Sequence, residues 1–377
     1  MHALNAPLHI KNLTLRNRLV LPPLTTNYGD ENGLVTEAIR RFYQERAREI
    51  GMVIVEATAV SANGRIVPGS LGLWQDAQTK GMAALAAVIK KEGAAAVVQL
   101  NHAGARCVPR KSGRYGLSPS GTAFRADVEP VVMDQADIEQ LTADFTSAAL
   151  RAADAGFDGV EIHGAHFYLL SQFISPLTNQ RTDAYGGDAG GRARVPLYVV
   201  QQVRRRLGSD YPVLFRLNAV ENIAGGQTLE DALTIGGFLA QAGVDILDVS
   251  LIVSGAFKIK DGKRLLTGSS ALPKDAAAGA NVVQTEAFKT HTGLPVIAVG
   301  KLGSPEVIQQ ALAAGRIDMI AVGRQMICDP SAAGKLLRGA QEPFAPCQEC
   351  YQCYASIGRG DPLQCKVNPA LPGSNDH

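Results

Sequence analysis

The sequence predicts an α/β fold, a closed parallel TIM (β/α)8 barrel with inserted loops on its C-terminal face. Three observations carry that expectation. Eight short apolar runs alternate strictly with seven windows of helical character. Glycines stand one or a few residues before the strands, at Gly51, Gly93, Gly156, Gly208, Gly243 and Gly315, where a left-handed helix cap belongs. The chemically capable side chains fall just past the ends of the apolar runs, where such a barrel gathers its chemistry. A doubly wound open sheet is the alternative, but no Gly-x-Gly-x-x-Gly opens a helix after the first strand.

The elements follow in order. A strand buried on both faces reads as a continuous apolar run. The runs are Leu19 to Leu24, Met52 to Glu56, Ala95 to Gln99, Gly159 to Ile162, Val213 to Leu217, Asp245 to Val249, Val296 to Val299 and Met319 to Val322. The helical windows between them are Thr36 to Ile50, Asp76 to Glu92, Asp137 to Ala155, Arg192 to Leu207, Thr228 to Ala242, Ala280 to Thr290 and Pro305 to Ala314. Two insertions break the alternation. Ala103 to Gln135 follows the third strand and Leu251 to Gly279 follows the sixth, so both belong on the catalytic face. Loops of this length are commonly lids or substrate walls. A decorative excursion is the plainer reading.

Composition sets the bounds. At 377 residues the chain suits one barrel with insertions, residues 1–340, followed by a cysteine-rich tail, 341–377. A hydrophobic content of 46% supplies a large core and argues against disorder. The net charge of +2 gives no reason to expect a nucleic-acid or membrane partner. Met1 to Ile10 lacks the basic and apolar regions of a signal peptide, and no apolar run reaches membrane-spanning length, so cytoplasm is the simplest location. Six cysteines, four of them between Cys347 and Cys365, do not form a secreted disulfide framework. Whether the chain forms a homo-oligomer is not legible in it.

The richest stretch is Gly159 to Leu170, where a buried strand breaks into His163, His166 and Tyr168. The histidines are candidate donors to a carbonyl or an anionic ring atom, and the phenol is a candidate acid. Core histidines or a metal pair are the plainer alternatives. His-x-x-His without a third ligand is weak for zinc, and the Glu of the zinc-protease motif is missing.

The run HGAHFYLLSQFISPLTNQRTDAYGG, from His163 to Gly187, strongly resembles the Old Yellow Enzyme family of flavin-dependent ene-reductases. Leu8 to Leu24, Val98 to Arg106 and Ala321 to Pro330 resemble the family's first, third and eighth strands, so the likeness spans about Pro7 to Arg338. It implies FMN at the barrel mouth, NAD(P)H as reductant and a small α,β-unsaturated carbonyl compound as substrate. By resemblance His163 and His166 hold the substrate oxygen and Tyr168 protonates Cα. Thr25, after Pro23, takes the position beside the flavin N5, where other branches of the family carry Cys. Ala57 belongs to a run of small residues against which a flat ring can lie. Gln99 offers an amide to its pyrimidine edge. Arg216, flanked by Phe215 and Leu217, needs an anion, which an anionic reduced flavin or an internal salt bridge would supply. Gly300, Gly323 and Arg324 sit after the seventh and eighth strands, where barrels bind phosphate. One phosphate site and no adenine pocket point to FMN rather than FAD.

In the tail, Cys347, Cys350, Cys353 and Cys365 read as soft ligands for an iron–sulfur cluster, for zinc, or as free thiols. The segment resembles the 2,4-dienoyl-CoA reductase and trimethylamine dehydrogenase branch, with one residue fewer between the second and third cysteines. That branch continues into a FAD- and NAD-binding half, whereas this chain stops at His377. Cys107 and Cys328 stand alone in the sequence, as core or loop thiols. Two other functions stay open: a dienoyl thioester reductase drawing electrons through a cluster, and a non-catalytic flavin and carbonyl sensor.

Overall fold

The structure, a computed structural model, describes residues 3–109, 113–303, 305–339 and 345–372. The boundary expected at 340/341 and the last residues of the tail lie outside them.

Eight parallel strands close into a barrel in sequential order. They are β1 (Leu19–Leu21), β2 (Met52–Ala59), β3 (Ala95–Asn101), β4 (Gly159–Gly164), β5 (Val213–Glu221), β6 (Ile246–Ile252), β7 (Val296–Val299) and β8 (Met319–Ala321). Nearly every strand residue is buried, because one face fills the barrel and the other packs under helices. The crossover helices are α1 (Glu37–Ala47), α2 (Thr79–Lys91), α3 (Gln135–Asp154), α4 (Ala189–Leu207), α5 (Leu229–Gln241), α6 (Val282–Thr292) and α7 (Pro305–Ala313). Among the described residues no helix is long and apolar enough to cross a membrane.

The departures from expectation have local causes. β1 stops at Leu21 and not at Leu24, because Pro22 and Pro23 have no N–H to give the ladder. β2 runs on to Ala59 past a register shift between Val55 and Thr58. Such a bulge beside Glu56 and Ala57 is a common way to re-aim side chains near a site. α3 begins at Gln135, two residues early, behind a reciprocal cap between Asp134 and Asp137. Gly93, Gly156, Gly208, Gly243 and Gly315 all have positive φ, but Gly51 does not. Glu49 takes the left-handed conformation there instead (φ 61°). Gly51 is needed for close approach: a Cβ would stand 2.2 Å from the Asn17 carbonyl oxygen.

The two ends of the barrel differ. A hairpin of Leu8–Ile10 with Leu13–Leu15 packs against the apolar layer of Val20, Met52, Ile54, Val97, Leu214, Ile246 and Met319. At the other end the first insertion forms a short parallel pair, Leu117–Ser118 with Val131–Val132. The second is an antiparallel hairpin, Ser254–Lys260 with Lys263–Ser269. The two meet at a bridge between Ala123 and Leu265. Phe167, Ile252 and Leu266 form the apolar cluster beneath them, with Phe124 and Phe257 against it.

Candidate active site

β4 ends in a turn that places His166 and Phe167 in the left-handed region, at φ 62° and 56°. A bulky Phe does not favour that region, and such strain tends to collect where a site demands it. The turn brings three predicted residues together. His163 Nε2 lies 3.1 Å from His166 Nδ1, and His166 Nε2 lies 2.7 Å from Ser250 Oγ at the end of β6. The Tyr168 ring stands edge-on to His163, with centroids 5.0 Å apart. Burial first, and then the positive field of Arg216, holds both imidazoles well below their usual pKa, so both are neutral at pH 7.

A neutral imidazole has one donor and one acceptor. The bonds as they stand employ both nitrogens of His166 and leave buried His163 Nδ1 without a partner. If Ser250 donates, protons pass down the relay and His163 Nδ1 keeps an N–H to give. Two free imidazole donors, as the sequence suggests, are therefore not what stands here. A ligand oxygen held by both rings must displace the His163–His166 contact or the Ser250 contact.

Sequence reasoning missed several neighbours. Arg106 Nη1 donates to the His166 carbonyl at 2.5 Å, and its guanidinium lies 5.2 Å from the Tyr168 ring centroid. Asn218 Oδ1 accepts from the His166 backbone N–H at 3.3 Å. Arg106 closes the family-like VQLNHAGAR run at the start of the long first insertion, and that position is the signal. Asn218 comes from β5 and Ser250 from β6, and only the pairing of these strands side by side brings them to the end of β4.

The remaining predicted residues line the same end. Thr26 donates its N–H and its hydroxyl to Glu56, at 2.9 and 2.6 Å, which leaves half-buried Thr25 as the hydroxyl available after Pro23. Ala57 is buried on β2. Gln99 donates to Glu161 at 2.6 Å. Arg216 finds its anion in Asp248, with Nε 3.3 Å from Oδ2. Gly300 (φ 127°) and Gly323 follow the paired strands β7 and β8. Arg324 faces Glu349 at 3.8 Å and Tyr351 at 5.4 Å from its ring centroid, and its Nη1 is buried with no partner. Lys301, beside Gly300, holds the same Glu349 at 3.1 Å.

An FMN phosphate fits this last group. Two cations and an orphaned guanidinium N–H stand at two glycine-bearing strand ends. The pyrimidine end of the ring fits Gln99 and Arg216, each reached from inside the barrel.

The tail folds back on the first loop. Leu363 N donates to Thr26 O, Tyr28 Oη to Leu363 O and Asn27 Nδ2 to Gly360 O, each at 2.8 Å. A cavity of about 450 Å³ opens beside it, lined by Cys350, Cys365 and Asn368 among others. Cys328 does not stand alone as its sequence position suggested. Its Sγ is 3.5 Å from that of Cys365, and the Cys347 thiol is near enough to hold the Cys328 proton more tightly. Cys350 is exposed. Among the described residues no three or more His, Cys, Asp or Glu side chains are arranged to hold a metal ion. The four tail cysteines therefore do not form a ready-made cage. Cys107 is buried in a small cluster with Ala103 and Val128.

A model of the NADH:flavin oxidoreductase / NADH oxidase family matches residues 3–342. The chain is 36% identical over 366 residues to an NADH oxidase of Thermoanaerobacter brockii, covering 96% of this chain and 55% of that protein. It thus spans about half the length of that relative. It is 34% identical over 333 residues to an NADPH dehydrogenase of Halalkalibacterium halodurans, covering 87% of this chain and 92% of the relative. Among solved structures, morphinone reductase superposes with a TM-score of 0.75 at 26% identity, over 92% of each chain.

Proposed function

The chain belongs to the NADH:flavin oxidoreductase / NADH oxidase family, and on that premise we propose that it is an FMN-dependent ene-reductase. Residues 1–340 would form the FMN-binding barrel and the rest a tail laid over it. The substrates are NADH or NADPH and a small α,β-unsaturated carbonyl compound. The observation that carries this reading is the His163–His166–Ser250 relay with Tyr168 against it, at the mouth of a barrel whose β7 and β8 ends hold an unsatisfied arginine.

FMN, when bound, supplies a hydride relay between nicotinamide and alkene. Gly300, Gly323, Lys301 and Arg324 would hold its phosphate, Gln99 and Arg216 the pyrimidine edge, and Thr25 and Ala57 the floor and the N5 side. His163 and His166 would donate to the substrate oxygen. Neutral imidazoles suit that task, because they place N–H dipoles where negative charge develops without fixing a full charge. Tyr168 would deliver its Oη proton to Cα. Phe167 and the two insertions would exclude water from the mouth.

The tail chemistry stays separate. What supports a soft-ligand role for this segment, iron–sulfur or zinc, is the spacing of Cys347, Cys350, Cys353 and Cys365 alone, and no step of the barrel's reaction needs it. The test of the main reading is direct. The purified protein should show flavin absorption, release FMN on heating and oxidise NADPH with cyclohexenone. FAD as the released species would overturn the phosphate-site argument. FMN without enone turnover would favour the sensor.

A further inference from the structure

One layer below the histidines, the barrel interior carries an acidic pair that the proposed chemistry does not use. Glu161 precedes His163 by two residues on β4, so both side chains enter the barrel. Asp248 on β6 is in register with Arg216 on β5. Both carboxyls are 0% exposed. Glu161 Oε2 accepts from Gln99 Nε2 at 2.6 Å, and Asp248 Oδ2 faces Arg216 Nε at 3.3 Å. Glu161 Oε1 and both Asp248 oxygens have no hydrogen-bond donor, although the two carboxyls lie within hydrogen-bond reach of each other.

Two carboxylates cannot donate to one another, and an uncompensated buried anion is strongly destabilising. One proton between them removes both faults. It neutralises one group and gives the other a donor. It belongs on Glu161, which is hydrogen-bonded to a neutral amide and feels Arg216 only from beyond ion-pair distance, and not on Asp248, whose Oδ2 stands 3.3 Å from the guanidinium. Glu161 Oε2 then acts as an acceptor, so Gln99 must turn its Nε2 inward and keep Oε1 for a ligand N–H.

We propose that Glu161 and Asp248 share a single proton held on Glu161, so that Asp248 alone balances Arg216 and the polar layer beneath the flavin's pyrimidine edge is neutral overall. Glu161 is thus a positioning residue for Gln99, and Asp248 is the counter-charge that sets how strongly Arg216 favours a reduced, anionic ring. The second half of this rests on the FMN reading, whereas the shared proton does not.

Two measurements separate these parts. Infrared spectra of the protein as purified should show the carbonyl stretch of a protonated carboxyl that persists from about pH 5 to about pH 9 and disappears in Glu161→Gln. Glu56 and Glu221, each pushed up to about 7 by burial, will have lost their protons by the alkaline end of that range. The flavin potential gives the second readout. Glu161→Gln copies the protonated form, donating to Asp248 and accepting from Gln99, so the ratio of affinities for reduced and oxidised flavin should stay within about threefold. Asp248→Asn leaves Arg216 uncountered and should raise that ratio about tenfold or more, about 30 mV for a two-electron couple. A missing band in the alkaline spectrum, or equal potential shifts in the two variants, would mean two ionised carboxylates and overturn the proposal. If Asp248→Asn does not fold, the band and Glu161→Gln decide alone. If no flavin binds, the band still decides the proton, and the cofactor reading is what fails.

Discussion

Tyr168 is the residue whose role is most sharply testable. Its phenol is proposed to act only when Cα takes a proton, so Tyr168→Phe, which keeps the ring against His163, should affect one half-reaction. NADPH oxidation by the resting enzyme should stay near wild type, because no interaction made in that transition state is lost. Consumption of an enone by the reduced enzyme should slow by roughly 10² to 10⁴, the usual share of a positioned general acid. Stopped-flow traces decide it, and equal slowing of both halves would make Tyr168 a packing residue. A second prediction concerns Glu221, at the end of β5. Burial pushes it up to about 7, against hydrogen bonds from Ser175 and the Gln227 N–H that pull the other way. A carboxyl with a raised folded-state pKa is bound to its proton in the folded chain after the unfolded chain has released it. Stability therefore falls as pH rises from about 4.5 to about 7. Glu221→Gln does not titrate and keeps an acceptor, so its stability relative to wild type should climb across that window. The plateau gain is on the order of 3 kcal/mol at most. Thermal unfolding at pH 4.5 and pH 8 checks it, and a difference independent of pH would contradict the assignment.

At the scale of elements, the legible part was whatever repeats. Buried strands read as unbroken apolar runs, so β7 matched to the residue and the others to within a few positions. The misses were chain-local features with non-local causes. Gly51 looks like a cap but serves the close approach of Asn17, a contact that exists only after β1 and β2 pair. The Arg216 anion, Asp248, was read as an ordinary strand residue, because nothing in one strand tells which neighbour closes beside it. Cys328 was read as solitary because 37 residues separate it from Cys365. The tail itself yields two predictions. Glu349 holds both Lys301 and Arg324, the cations assigned to the phosphate. A phosphate must displace that carboxylate, so Glu349→Gln should tighten FMN binding severalfold in titrations of flavin-stripped protein, while Arg324→Ala should lose FMN from a barrel that still folds. Unchanged affinity in Glu349→Gln would mean that the phosphate lies elsewhere. For the cysteines, protein prepared without oxygen should contain iron and acid-labile sulfide in equal amounts if a cluster forms. Zinc alone would leave electron transfer through the tail without support.

The whole molecule divides its labour between the two ends of one barrel. Conserving the fold and carrying out the chemistry are assigned to opposite faces, as this architecture allows. The catalytic end holds strained backbone, unsatisfied polar atoms and buried carboxyls, all of which cost stability. The opposite end holds an apolar plug with no polar work: Leu13 and Leu15 of the N-terminal hairpin, 1% and 0% exposed, packed on the lower layer of the barrel. If this division is physical, damage at the plug should be felt in stability and not in chemistry. Leu15→Ala removes buried methyl groups from a layer formed by several strands, which can collapse only partly onto the space. The expected loss is about 2–5 kcal/mol, seen as a lowered unfolding midpoint in denaturant. At a temperature where the variant is still folded, its FMN affinity, its KM for the enone and the rates of both half-reactions should match wild type. Leu15 touches neither the His163–Tyr168 cluster nor the β7 and β8 loop ends, and closely packed cores pass strain mainly to their neighbours. A variant that kept its midpoint would show that the hairpin only decorates the barrel. One that lost FMN affinity in proportion to stability would show that closure at the bottom sets the spacing of strand ends at the top.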